Sequence, residues 1–217
     1  MTKKRILCFG DSYTWGYIPD TNHERFPDDI RFPKVLQKLL GENFEIIEEG
    51  LNSRTLVNKD TRPGKEGRNG SQYLIPCLDS HDPLDLVIIM LGTNELKHKF
   101  KNSPEEIGNL LEKHFIQVIL KRKSQFRNTS PQVIIVSLPL INEQTEYALQ
   151  RYVGGTEKSK KLKNIYSKIA KKNKCHFVSA SELKVGSDGV HLTKESHKAL
   201  ANKLNEKIES YFKNFQY

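Results

Sequence analysis

The sequence predicts a single α/β domain built around a mostly parallel sheet. Short apolar runs alternate with amphipathic segments along the whole chain, which is the order expected of strands and crossover helices. The run "LDLVIIML" (84–91) is continuously apolar, as in a strand covered on both faces. At 217 residues, with no repeat, low-complexity tract or linker, the chain suits one domain with a sizeable core.

Taken in order, "RILCF" (5–9) is a buried strand, followed by a loop rich in Pro, Asp and Arg up to residue 30. "PKVLQKLL" (33–40) is an amphipathic helix with Pro33 near its start and Gly41 at its end. "NFEIIE" (43–48) is a second strand, and after a polar, Gly-rich loop at 58–70, residues 71–80 form a helix. "SPEEIGNLLEKHFIQVILKRK" (103–123) opens with Ser103, Pro104 and Glu106, a capping-box start to a long helix. "QVIIVSLP" (132–139) and "CHFVSA" (175–180) are the remaining strands, and a final helix covers 194–213.

Composition excludes several classes. Hydrophobic residues make up 36% and charged residues 28%, the balance of a water-soluble protein rather than a membrane or disordered one. No stretch approaches the roughly 20 apolar residues of a membrane span. The apolar stretch after MTKKR ends at Gly10, short of a secretory leader. Cys8, Cys77 and Cys175 are odd in number and widely spaced, so they read as buried thiols of a cytoplasmic protein rather than disulfides or a zinc site.

The net charge of +9 raises the question of nucleic acid. Its lysines crowd 158–174 and 194–213. In the first, Leu162, Ile165, Tyr166 and Ile169 recur at helical spacing, which leaves the lysines on a solvated outer face. No zinc finger, RNA-binding signature or aromatic–basic interleaving accompanies them, so nucleic acid is not expected as a partner. A non-catalytic basic α/β module binding nucleic acid is the rival from a different class.

In a parallel sheet, ligands bind beyond the carboxyl ends of the strands. There the sequence puts Gly10-Asp11-Ser12 after the first strand, Gly50-Leu51-Asn52-Ser53 after the second and Gly92-Thr93-Asn94 after the third. Gly, Asp and Ser together also suit an ordinary turn. A serine offered as a nucleophile needs a base, and "SDGVHLT" (187–193) supplies one. Asp188 and His191 are three apart with Gly189 between, so the carboxylate can hold Nδ1 while Nε2 faces a partner. The same two side chains could instead ligate a metal, though no further cluster completes such a site.

These blocks carry a resemblance. FGDS (9–12), GTN (92–94) and DGVH (188–191) stand in the order and separation of the SGNH hydrolases, also called the GDSL family, over nearly the whole chain. "RILCFGDSYTWG", "FEIIEEGLNSRT" and "LDLVIIMLGTNE" are similar to its arylesterase and acyltransferase branch. The resemblance implies a three-layer α/β/α sandwich and a serine esterase acting on small acyl esters without metal or cofactor. It also implies acyl transfer to alcohols or peroxide, and an even-numbered homo-oligomer. A carbohydrate O-deacetylase is the competing enzyme reading.

Carried over residue by residue, Ser12 is the nucleophile, His191 the general base and Asp188 its orienting acid. The oxyanion donors are the backbone N–H of Ser12, that of Ser53, and the Asn94 amide. Many members carry a glycine where Ser53 stands, so Gly50, three residues earlier, is an alternative backbone donor. Asn94 could equally cap a helix. Asp11 is taken to brace the turn beside the pocket. Trp15, Tyr17, Phe26 and Phe32 either rim an acyl pocket or pack beneath the loop. Arg25, Asp29 and Arg31 read as a loop-bracing ion pair. The histidines at 23, 81, 98, 114, 176 and 197 read as surface or packing residues.

Overall fold

The computed structural model describes residues 3–213. Five parallel strands form one sheet: β1 (Lys4–Gly10), β2 (Phe44–Gly50), β3 (Leu86–Met90), β4 (Gln132–Val136) and β5 (His176–Val178). Their order across the sheet is β2-β1-β3-β4-β5. Register places Gly10 opposite both Gly50 and Met90, so the first three strands end level with one another. The polar blocks that follow them therefore share one edge.

Helices cover both faces, because β3 and β4 at the sheet's centre are apolar on both. On one face α2 (Phe32–Leu40) packs against α8 (Lys194–Lys213). On the other lie α3 (Gly70–Ser80), α4 (Pro104–Leu111), α5 (Gln117–Lys121) and α7 (Gly155–Lys172), with α4 against α7. Phe9, Ile88, Ile89, Ile134 and Ile135 in the sheet, and Phe115, Leu162 and Leu204 on the helices, are fully or almost fully buried. The expected three-layer sandwich is what the chain forms. The cysteines form no disulfide.

The long helix expected over 103–123 is interrupted. Ser103 and Glu106 close the predicted capping box, at 3.1 Å and 2.7 Å. Between α4 and α5, however, residues Glu112–Ile116 form a wide π-helical turn. That turn lets the consecutive residues Phe115 and Ile116 both enter the core. Two short helices escaped the sequence reading: α1 (Ser12–Trp15), inside the Gly-Asp-Ser block, and α6 (Glu146–Arg151). Neither is long enough to show a period. No helix of the described residues is long and apolar enough to cross a membrane.

Candidate active site

The strand order reverses between β1 and β3, which opens a crevice at their carboxyl ends. Ser12 leaves β1 there as the first residue of α1, and Asn94 follows β3 in the 3₁₀ turn Thr93–Leu96. Asp11 caps α1 by accepting from Tyr13 N–H at 3.1 Å. As the first helical residue, Ser12 has a backbone N–H with no partner inside the helix.

The loop before α8 brings up the base. Gly189 sits at φ +73°, and a Cβ there would come 2.2 Å from Asn142 O, so the curl between Asp188 and His191 requires glycine. Asp188 Oδ1 accepts from the N–H groups of Val190 and His191, each at 2.9 Å. Its Oδ2 lies 2.5 Å from His191 Nδ1. The far side of the ring, Nε2, is 3.0 Å from Ser12 Oγ. Burial pushes the Asp188 carboxyl up, but the His191 ring and the two N–H donors outweigh it and hold it below its ordinary value. Tyr13 Oη, donating to Val190 O at 2.9 Å, ties the loop back to α1.

The other two expected donors lie on the loops after β2 and β3. Ser53 takes φ +67° at the third position of a turn closed by Arg54 N–H to Leu51 O at 2.9 Å. Glycine is the residue that such a position favours, which explains why a glycine and this serine can exchange. Gly50 is differently placed: it lies under α1, where a Cβ would come 2.2 Å from Trp15 N. Asn94 is buried, donates from Nδ2 to Arg54 O at 2.9 Å and caps no helix through its side chain. Nδ2 carries two hydrogens, and this bond uses one of them.

The profile of the GDSL-like lipase/acylhydrolase family matches residues 8–199 of the sequence. The chain belongs to that family. Among solved structures, this GDSL-like enzyme is similar to a carbohydrate acetylesterase from Sinorhizobium meliloti, with 36% identity over 96% of this chain and 100% of that one, TM-score 0.89. It is also similar to the aryl esterase of M. smegmatis, with 38% identity over 95% of this chain and 99% of that one, TM-score 0.87. A lipase/acylhydrolase from Enterococcus faecalis, 15% identical over 96% of each chain with TM-score 0.69, shares the fold. No curated protein matches the chain. Family and esterase neighbours together make this GDSL-like protein a carboxylic ester hydrolase.

The remaining candidates fall into two groups. Tyr17 packs on the His191 ring with centroids 4.3 Å apart and planes tilted by 30°, and Trp15 lies 6.2 Å from Tyr17. Phe26 instead packs edge-on against His197 at 5.2 Å, and Phe32 is core. Asp11 offers no surface to a pocket: it is fully buried beneath Ser12, and burial raises its carboxyl to about 6. Arg31 does brace the loop, but through Asp28 (2.5 Å) and Glu48 (2.8 Å) rather than Asp29.

Several residues at the site carried no sequence signal. Tyr147 of α6 comes within 6.2 Å of the His191 ring. Arg54 is buried and donates to Gly10 O at 2.9 Å and to Glu49 O, clamping the ends of β1 and β2. Glu95 is fully buried, accepts from Leu56 N–H, and is pushed by burial to about 8. Lys97, also buried, donates to Asn94 Oδ1. Lysine and arginine read as surface residues in a sequence, and only a fold can bury them.

As a metal pair, Asp188 and His191 are poorly set, because three hydrogen bonds occupy both carboxylate oxygens. Elsewhere, Glu49, Cys77 and His81 bring ligand atoms within 4.8 Å of one another. Glu49 there already accepts from Tyr73 Oη (3.2 Å), meets His81 Nε2 (3.0 Å) and faces the Arg54 guanidinium (3.8 Å). A resident cation would compete with that arginine.

Proposed function

We propose that the enzyme hydrolyses small acyl esters through a covalent acyl-enzyme on Ser12, with His191 as general base and Asp188 orienting it. The single observation that carries this reading is the unbroken chain Asp188 Oδ2–His191 Nδ1, His191 Nε2–Ser12 Oγ, at 2.5 Å and 3.0 Å. Ser12 Oγ bonds to the ester carbonyl carbon while its proton passes to His191 Nε2. The tetrahedral adduct collapses, the C–O bond to the alcohol breaks, and the imidazolium returns the proton to that alcohol. Water, deprotonated by the same nitrogen, then adds to the acyl carbon; the acyl–Oγ bond breaks, Ser12 Oγ takes back the proton from His191, and the acid leaves.

The negative oxygen formed at each addition needs donors placed in advance. The backbone N–H of Ser12, that of Ser53 and the free Asn94 N–H fill this role, and the packing of Gly50 against α1 favours Ser53 over it. An alcohol or peroxide entering in place of water would make the enzyme an acyltransferase or perhydrolase. Three unpaired thiols support the cytoplasm as its location. Exposed Leu149 on α6 and Val153 just after it fit the expected homo-oligomer, which size-exclusion chromatography tests.

A second reading, sugar O-deacetylation, draws on the likeness to a carbohydrate acetylesterase. The test is p-nitrophenyl acetate against acetylated sugars, with and without alcohol, beside fluorophosphonate labelling. Labelling of Ser12 with aryl-ester turnover supports the esterase. Faster release of acetate from sugars selects the deacetylase. An inert Ser12 with a salt-sensitive shift of nucleic acid in a gel would replace both readings with the basic module.

A further inference from the structure

The polar loop at 58–70 brings a concentration of positive charge to the edge of the site. Arg62 Nη2 lies 3.4 Å from Ser53 Oγ, beside the turn that offers the Ser53 N–H. Arg62 is held in place by Asp60, whose Oδ1 and Oδ2 accept from Nε at 3.0 Å and 3.1 Å while Oδ2 also accepts from Nη2 at 2.5 Å. Asp60 is itself buried and also holds Lys99 at 3.1 Å. Arg62 and Lys99 are both close enough to press on the charge of Lys97, next to Asn94. Arg62 and Lys99 thus share the one carboxylate of Asp60, a net positive charge beside the Ser53 turn.

Two further features point outward from this cluster. Nη1 of Arg62 makes no hydrogen bond among the described residues, and about half of the side chain is exposed. From Arg62 a depression of about 580 Å³ continues, lined by Lys59, Asp60, Arg62, Lys65, Glu66 and Arg68. That size is ample for a small organic group, and the charges of its lining, Asp60 and Arg62 included, sum to two positive.

We infer that the preferred substrate is an ester carrying an anionic group, a carboxylate or phosphate, which pairs with Arg62 at the mouth of the 58–70 depression while Ser12 attacks the carbonyl. This rests on the esterase reading and names the substrate class of that site. A guanidinium with an uncommitted N–H pair is suited to such a group, because charge-assisted bonds are about twice as strong as neutral ones. Asp60 keeps Arg62 ordered in advance, so little side-chain freedom is lost on binding.

The test is a set of matched ester pairs, assayed on the intact enzyme and on Arg62→Gln. 4-Acetoxybenzoate against its methyl ester puts the charge on the leaving group. p-Nitrophenyl hemisuccinate against p-nitrophenyl butyrate puts it on the acyl group. The charged member of at least one pair should have the higher kcat/KM, by about tenfold at low salt, and Arg62→Gln should cut that ratio by at least about fivefold. Arg68→Gln, further along the depression, should cut it less, and Arg62→Lys should keep part of it. Equal values within both pairs, or a ratio that Arg62→Gln leaves intact, would overturn the inference while the esterase reading stands. No turnover of any of the four esters would count against the esterase reading itself.

Discussion

Lys97 Nζ donates to Asn94 Oδ1 over 2.6 Å, and this contact decides which way the Asn94 amide faces. An ammonium can only donate, so the carboxamide oxygen must point at Lys97 and the NH₂ group at Arg54 O. Lys97 thereby positions a proposed oxyanion donor without touching the substrate.

Lys97→Met should therefore lower kcat by roughly tenfold with little change in KM, as expected when a transition-state donor is loosened. In an Asn94→Ala background, itself slowed by about 10²–10³-fold, the same substitution should add almost nothing. Burial brings the Lys97 ammonium down to about 8, so its charge is lost as pH rises through that value. The pH profile of kcat should fall above about pH 8 and lose that limb in Lys97→Met. Additive effects of the two substitutions would separate Lys97 from Asn94.

Ser12→Ala should abolish both turnover and fluorophosphonate labelling, since Oγ is the atom 3.0 Å from His191 Nε2. Asp188→Asn should leave the fold intact but cost up to about 10⁴-fold in kcat, because an amide cannot hold the ring as the carboxylate does. Circular dichroism and steady-state kinetics on the two variants check both statements. Turnover by Ser12→Ala would remove the nucleophile.

Ser53 carries a left-handed backbone without being glycine. Ser53→Gly relieves that conformation and should raise stability to denaturant by up to about 1 kcal/mol while keeping kcat, because the proposed donor is the backbone N–H. A loss of more than tenfold in kcat would give the hydroxyl a role of its own.

His197 is buried against Phe26 and Phe32 and accepts Phe32 N–H on Nδ1 at 3.3 Å, so its ring is neutral. Burial lowers its pKa from the ordinary 6.5 to about 3. Between those values the unfolded chain binds the proton and the folded one does not, so stability falls as pH drops from about 6.5 towards 3. The loss from this group is at most about 1.4 kcal/mol per pH unit. His197→Asn, which keeps an acceptor but does not titrate, should flatten that part of the curve in urea melts. An unchanged slope would mean that other groups set the acid limit.

The strands and the candidate triad were legible because their signals are local. β3 announces itself as an apolar run, and Asp188 and His191 lie three apart around a glycine that the chain needs at φ +73°. Where several choices were open, packing decided. Phe26 and Tyr17 are similar as letters, yet one supports His197 and the other lies on His191. Over 103–123 the capping box that the sequence predicts forms, while core packing of Phe115 and Ile116 widens the helix in its middle.

What the sequence by itself determined was the alternation of buried strands and amphipathic helices, the parallel sheet, and the polar blocks that end its first three strands. These follow from periodicity, capping and turn chemistry, which act over a few residues. Only the tertiary structure decided that Ser12 and His191, 179 positions apart, share a hydrogen bond, that Lys97 turns the Asn94 amide, and that Arg62 stands beside Ser53. The reason is physical: such contacts depend on strand order and on which charged side chains the fold encloses, and no short-range pattern encodes either.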